Sequence, residues 1–414
     1  MENRCLWIAL TRPDNLPEAL ALALAARETF PVCRLVHEES SWWTRAHWEE
    51  HRGLFAGVEA IQRVRTLRGV RDVPRFAREL KTRQRRLEAL PIARDDVLVC
   101  LAGITGLANA IASAHPRVPK VLCVTLKRYM DSSRPADFTR YRHTTSGWLQ
   151  FRFLEPAAGL RRTYHLKPWR SPGGDGVRLK RPVSPLEEIY RRIVVLSNTG
   201  AELPPGAGGA LIAAPFPHLS DLKELTREGE LEPERRVLFF GTPFLLVRNL
   251  PPDEYAGLLN QCLDYLRGHY GPRCRLIYRP HPAERAEREW LRLDGFTFEE
   301  DQEVAEMYFL RNAAKIEAVF SVSSTVSRSA ANFGLNAYCL WRCFPFAPSA
   351  QAYFESLMGR VPPEFDIRSL DAPPEKYARG APDGPGFPSV LLDAIEQAAV
   401  SVEKPFARAG RPHV

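Results

Sequence analysis

Short apolar runs separated by amphipathic stretches set the rhythm of this chain. Residues 5–10 (CLWIAL) form the first run, and a Pro/Asp/Asn turn leads into LPEALALALAARETF, whose apolar spacing predicts a helix. PVCRLVHEE (31–39), DDVLVCLAG (95–103) and VPKVLCVTL (118–126) read as further strands. The middle one runs through Gly103 into the helix-forming ITGLANAIASA. WLQFRFLEP (148–156) alternates as a half-exposed strand, and IVVLSN (193–198) is another buried one. Apolar, β-branched strands joined by helices predict a parallel sheet covered on both faces.

The second half repeats the rhythm with greater regularity. VLFFG (237–241), RLIYR (275–279), GFTFEE (295–300), IEAVFSV (316–322) and AYCLW (337–341) are the expected strands. Between the first two, Tyr255, Leu258, Leu259, Cys262, Leu263 and Leu266 line one face of a helix that ends at Gly271-Pro272. Residues 283–293, 303–315 and 323–334 are the other expected helices, and the order predicts a doubly wound sheet. A stretch dense in Pro and Gly, followed by the charged DLKELTREGELEPERR, places a boundary near residue 232. The expected organisation is two Rossmann-like domains, 1–232 and 233–414, the second including a C-terminal amphipathic helix.

Composition narrows the picture. The chain has 414 residues, 45% hydrophobic and 26% charged, an ordinary globular balance that suits two domains. No apolar run reaches the roughly 18–20 residues that span a bilayer, and the first residues read as a strand rather than a signal peptide. Eight scattered cysteines without CxxC or zinc spacing read as buried thiols of a reducing cytoplasm. The net charge of +8 is concentrated in residues 63–86, with ten basic side chains against two acidic ones. Such a surface is either a solvated helix face or a patch for anionic lipid headgroups or an acidic acceptor. Few aromatics interleave with these cations and no binding motif accompanies them, which argues against nucleic acid.

In an open parallel sheet, ligands bind beyond the carboxyl ends of the strands. Three such ends carry unusual residues here: Gly241-Thr242-Pro243, Arg279-Pro280-His281-Pro282 and Ser323-Ser324-Thr325. The glycine admits close approach of backbone to a ligand. The serines stand where a helix begins, with unpaired N–H groups and the positive end of the macrodipole, so they suit an anion or serve simply as a cap. Prolines on both sides restrict the His281 backbone, and imidazole can bond or protonate a phosphate oxygen. Arg279 brings permanent positive charge, and Glu300, with Glu299 and Asp301, is a candidate acceptor from ribose hydroxyls. These groups describe a site for phosphate on a leaving group.

The order GTP, YRPHPAE, FSVSSTVSRSAANFG resembles the bacterial sialyltransferase and polysialyltransferase-like glycosyltransferases, with Kdo transferases of capsule synthesis as relatives. The resemblance covers roughly residues 235–342. It implies an α/β GT-B fold, two Rossmann-like domains with parallel sheets facing across a cleft, and a CMP-activated acidic sugar as donor. It gives His281 the role of meeting the CMP phosphate and assisting its departure, Ser323 and Ser324 that of binding the same phosphate, and Gly241 a place in the nucleotide loop. The family's base lies in an acidic triplet before a glycine, and no such triplet occurs here. Glu155, after a strand, and Asp175, before a glycine in a polar loop, are its two partial counterparts.

The function expected is transfer of a sialic-acid or Kdo-type sugar from a CMP-sugar to a surface glycan or glycolipid, with no cofactor beyond the donor and no metal. The enzyme would be cytoplasmic, with peripheral contact at the inner membrane face. CDP-glycerol or UDP-sugar donors, and a non-catalytic nucleotide- or glycan-binding protein, are the alternatives. Asp14, Asn15, the His37-Glu38-Glu39 strand end and Trp42, Trp43 and Trp48 are secondary candidates, each with an ordinary structural reading as turn, surface or packing.

Overall fold

The computed structural model describes residues 4–10, 12–39, 49–64, 70–101, 107–125, 154, 157–158, 167–170, 177–180, 189–197, 203, 209–226, 234–242, 250–281, 284, 289–300, 303–358, 361–377 and 384–400. Two compact units emerge. One comprises Met1–Leu196, Glu202–Ala214 and Pro388–Val414, the other Ser197–Ala201 and Pro215–Phe387. The sequence placed the boundary near 232 and the last helix with the second half. The units instead divide around Ala214 and Pro215, and most of the last helix counts with the first unit. Arg191 Nη1 donates to the Ala398 carbonyl at 3.0 Å and Arg192 Nε to Gln397 Oε1 at 3.0 Å, which ties that helix to the strand region beside it.

The first unit is built on β1 (Cys5–Leu10), β2 (Val32–Glu39), β3 (Gly57–Gln62), β4 (Val97–Leu101), β5 (Lys120–Thr125), β8 (Arg192–Leu196) and β9 (Leu211–Ala214). They form one sheet in the order β3-β2-β1-β4-β5-β8-β9, and every pair is parallel. Helices α1 (Leu16–Ala25), α2 (Val73–Glu88) and α3 (Leu107–Ala114) connect its strands. Trp7, Ile8, Leu98, Val99, Leu122 and Val194 are fully buried, as both faces of a parallel sheet require. Two short strands, β6 (Lys167–Arg170) and β7 (Val177–Lys180), pair antiparallel apart from it.

The second unit holds β10 (Arg235–Phe240), β11 (Cys274–Arg279), β12 (Phe296–Phe298), β13 (Ile316–Ser321) and β14 (Ala337–Cys339) in the order β12-β11-β10-β13-β14, all parallel. Its helices are α4 (Pro252–Tyr270), α5 (Ala305–Asn312), α6 (Thr325–Asn332) and α7 (Pro348–Met358), and α8 (Phe387–Val400) follows. Both units are therefore Rossmann-like α/β domains, the class expected. In each, the earliest strand lies inside the sheet, third from one edge, and the chain winds outward on one side before crossing to the other. That crossing creates a switch point between β1 and β4 and another between β10 and β13.

Three expectations meet a different structure. The short edge strand β9 sits inside the stretch that looked like linker, and β3 was not foreseen. Leu154, expected in a strand, accepts a hydrogen bond from the Ala158 N–H at 3.0 Å, a helical turn. Of the helix expected over 283–293, the described residues 289–293 form only a single tight turn. The Asn260 side chain donates to the Trp290 carbonyl at 2.9 Å and accepts from the Arg292 N–H at 2.7 Å, a donor that a helix would have used.

Candidate functional site

Register fixes which strand ends are neighbours. Phe240 pairs with Arg279 on one side and with Ser321 on the other, so β11, β10 and β13 stop at one level. The residues that follow, Pro280-His281, Gly241-Thr242 and Val322-Ser323-Ser324, thus occupy three consecutive places along the carboxyl edge. His281 and the serines are separated by one strand, or two strand spacings of roughly 10 Å.

The His281 end is held from beneath. Phe239, Tyr278 and Phe298 stack across β10, β11 and β12, with ring centroids 5.6 and 6.0 Å apart. This ladder fixes the Tyr278 ring, whose hydroxyl donates to Glu284 Oε1 at 2.5 Å. The other oxygen of that carboxylate, Oε2, accepts the His281 backbone N–H at 3.1 Å, while the Glu284 N–H donates to the His281 carbonyl at 2.8 Å. The carboxylate thus reaches back to the backbone N–H three residues earlier, and a backbone bond closes the same turn. Glu284 is 2% exposed. His281 is half-buried, and loss of solvent lowers its imidazole pKa below 6.5.

Gly241 is packed so closely that any side chain there would have to displace the Glu284 carboxylate or the Tyr278 hydroxyl. Its N–H donates to the Arg279 carbonyl at 2.9 Å. A Cβ at this position would lie 2.0 Å from Glu284 Oε2 and 2.8 Å from Tyr278 Oη. Thr242 is 8% exposed, and its Oγ1 is buried without a hydrogen-bond partner. An unpaired buried hydroxyl costs about 1–3 kcal/mol, which a ligand that supplies a partner would recover. Pro243 and Pro282 lie outside the described residues, as do Glu155 and Asp175.

On the opposite face of β11, Arg279 is 3% exposed, its guanidinium 4.3 Å from the Tyr308 ring centre and 5.7 Å from that of Phe240. It also donates to the Glu303 carbonyl at 3.3 Å. It sits among aromatic rings beneath the edge. Glu300 is exposed beyond β12, the outermost strand and three places from the serines.

The serine end is ordered by residues that sequence reasoning passed over. Ser327 Oγ donates to the Tyr338 carbonyl at 3.1 Å, which leaves Ser321 Oγ to donate to Ser327 Oγ at 2.7 Å. Ser321 Oγ in turn accepts the Ser324 N–H at 3.1 Å. This fully buried relay fixes the turn into α6. Ser324 is the N-cap, its Oγ accepting from the Val326 N–H at 3.2 Å. Ser323 is 7% exposed, and Thr325 opens the helix at partial exposure. The α6 N-terminus, with its partial positive charge, lies at the switch point beside β10.

The corresponding edge of the first unit is organised differently. Arg12 and Asp14 pair at 2.6 Å, and Asn15 Nδ2 donates to Glu18 Oε1 at 3.2 Å. His37 is 3% exposed and its pKa is pushed down to about 4 by burial. Burial raises the Glu38 pKa, opposed by Arg83 on α2, which it meets at 3.5 Å. Trp42, Trp43 and Trp48 lie outside the described residues. Among the described residues, no group of three or more His, Cys, Asp or Glu side chains is placed to hold a metal ion. No described helix is long and apolar enough to cross a membrane.

No family model matches the chain, and no curated protein does. Solved structures do. The S. aureus MnaA–UDP co-structure is 10% identical, with 81% of this chain and 79% of that chain covered and a TM-score of 0.48. UDP-GlcNAc 2-epimerase from Neisseria meningitidis bound to UDP-GlcNAc is 12% identical, with 86% and 89% covered and a TM-score of 0.44. The glycotransferase of kitacinnamycin is 10% identical, with 97% and 94% covered and a TM-score of 0.44. All three are too distant to assign an activity or a ligand to this chain.

Proposed function

We propose that the chain is a glycosyltransferase of GT-B type whose second unit holds a nucleotide-activated sugar. The observation that carries this reading is the edge formed by three consecutive strand ends, with His281, Gly241-Thr242 and Ser323-Ser324 in a row and the α6 N-terminus at the switch point. Backbone bare of side chain, hydroxyls, an imidazole and a helix N-terminus together favour a phosphate.

The donor we favour is a CMP-linked acidic sugar of sialic-acid or Kdo type, and the acceptor is a surface glycan or glycolipid. In the reaction, an acceptor hydroxyl oxygen bonds to the anomeric carbon as the bond from that carbon to the CMP phosphate oxygen breaks. CMP leaves with the bonding electrons, and the hydroxyl proton passes to a carboxylate, for which Glu155 and Asp175 remain the candidates. An imidazole whose pKa lies below 6.5 is mainly neutral at pH 7, so His281 contributes an N–H donor to the departing phosphate. The α6 N-terminus and the serine hydroxyls meet the same charge.

The exposed face of α2, with Arg75, Arg78, Lys81, Arg85 and Arg86, supplies the peripheral contact with anionic lipid in this reading, while Phe76, Leu80 and Leu87 are buried. Co-sedimentation with vesicles rich in phosphatidylglycerol, and not with neutral vesicles, is the expected behaviour.

Calorimetric titration with CMP, CDP and UDP tests the donor half without an acceptor. CMP is expected to bind most tightly, and Thr242→Val to weaken it by about tenfold, the equivalent of one lost hydrogen bond. Tighter UDP or CDP binding would move the donor to a UDP-sugar or CDP-glycerol. Absence of binding by all three would remove the reading. Nucleotide binding without donor turnover would leave a non-catalytic binding protein.

A further inference from the structure

The Glu284 carboxylate touches both neighbouring strand ends, and nothing in the reaction above uses it. Its Oε2 accepts the His281 N–H at 3.1 Å and occupies the space where a Gly241 side chain would begin, 2.0 Å from an ideal Cβ. Its Oε1 takes the hydroxyl of Tyr278, a ring already fixed by stacking on Phe239 and Phe298. The carboxylate is 2% exposed. Tyr255, in the first turn of α4, has its hydroxyl pKa raised by burial first and then by nearby Cys262 and Glu284, which puts the same group beside a third element.

A buried carboxylate is costly unless hydrogen bonds and geometry repay it. Here the return is a rigid link. The stacked ring orients the carboxylate through Oε1, and Oε2 both holds the His281 N–H and packs against the backbone at Gly241. We infer that Glu284 is a positioning residue that holds His281 and the Gly241-Thr242 turn in one fixed relation for a phosphate ligand. The phosphate part of this inference rests on the reading above; the positioning of His281 does not.

Two substitutions separate reach from charge. Glu284→Gln keeps the reach, since its carbonyl oxygen can accept the His281 N–H while its amide donates to Tyr278 Oη. Glu284→Asp keeps the charge and withdraws it by one methylene, about 1.5 Å. Two quantities are measured on the full chain: CMP affinity by calorimetry, and hydrogen exchange of the His281 amide. In Glu284→Gln, affinity is expected within about threefold of the parent and the amide stays protected. In Glu284→Asp, affinity is expected to fall about tenfold or more and the amide to exchange freely.

The reverse pattern, with Asp near the parent and Gln impaired, would show that charge rather than position matters and would overturn the inference. So would melting temperatures that fall while affinity and exchange stay unchanged. If the parent binds no nucleotide, the functional reading fails by itself, and amide exchange in the same two variants still decides whether Glu284 positions His281. Should Glu284→Asp not fold, Tyr278→Phe, which removes the hydroxyl that orients the carboxylate, is expected to give the same losses in smaller measure. Unchanged affinity and exchange in that variant would count against the inference.

Discussion

Two buried carboxylates, one in each unit, solve the same chemical problem at opposite edges of their sheets. Asp96 precedes β4 at the amino edge of the first sheet, where it accepts from Trp7 Nε1 at 3.0 Å and from the Cys5 and Ala93 N–H groups at 2.9 and 2.8 Å. Glu284 lies at the carboxyl edge of the second sheet, where it accepts from Tyr278 Oη and the His281 N–H. Both pair an aromatic side chain with backbone donors. Only Glu284 stands where an open parallel sheet receives ligands. The two imidazoles, both near carboxyl ends of strands, differ in burial: His37 is 3% exposed, while His281 is partly exposed. For the two carboxylates, position on the sheet, more than residue type, separates the one that holds its unit together from the one that can meet a substrate.

The largest effect that would break this distinction is at Asp96. Asp96→Ala leaves three donors without their acceptor and should destabilise the first unit by about 3–4 kcal/mol in denaturant melts. CMP affinity should stay within about twofold in the folded protein. A tenfold loss of affinity would mean that the amino-edge carboxylate is not purely structural.

Next comes pH. The folded pKa of His37 is about 4 against 6.5 in the unfolded chain, so between these values the unfolded state binds the extra proton. Stability contributed by neutral His37 is therefore complete above pH 6.5 and lost as pH falls toward 4, about 3 kcal/mol in all. His37→Gln should flatten that limb of a stability–pH curve, and an unaltered limb would contradict the assignment. His281→Gln should flatten it less, because its ring is only half-buried.

Smaller effects come from two glycines. Gly241→Ala forces a methyl against the Glu284 carboxylate and should cost about 1–3 kcal/mol, together with most of the nucleotide affinity. Gly57, at the start of β3, offers the control: a Cβ there would meet the Arg34 side chain at 3.6 Å, an ordinary contact. Gly57→Ala should change stability by less than about 0.5 kcal/mol and leave binding unaltered. Equal effects at both glycines would erase the difference between the edges.

Much of this was legible in the sequence because periodicity reports burial. The runs at 237–241, 275–279 and 316–322 became β10, β11 and β13, and their polar ends fell next to one another as an open parallel sheet requires. LIAA at 211–214 escaped because four apolar residues among Gly and Pro read as linker, and an edge strand needs no longer run. Of the helix expected over 283–293, residues 285–288 lie outside the described residues; beyond them, Asn260, distant in sequence, takes the Arg292 N–H and the Trp290 carbonyl. Glu284 escaped for a related reason. Within AERAERE it looks like one charge among several on a solvated face, and only the packing against Gly241 and Tyr278 sets it apart. Ser321 and Ser327 were hidden in the same way, since a buried hydroxyl relay has no periodicity of its own.

Backbone amide shifts during titration with CMP test the nucleotide edge most directly. The resonances of Gly241, Thr242, His281, Ser323 and Ser324 should move together and saturate at one affinity, while those of Cys5, Ala93 and Asp96 stay still. Saturable shifts confined to the first unit, or none at millimolar CMP, would contradict it.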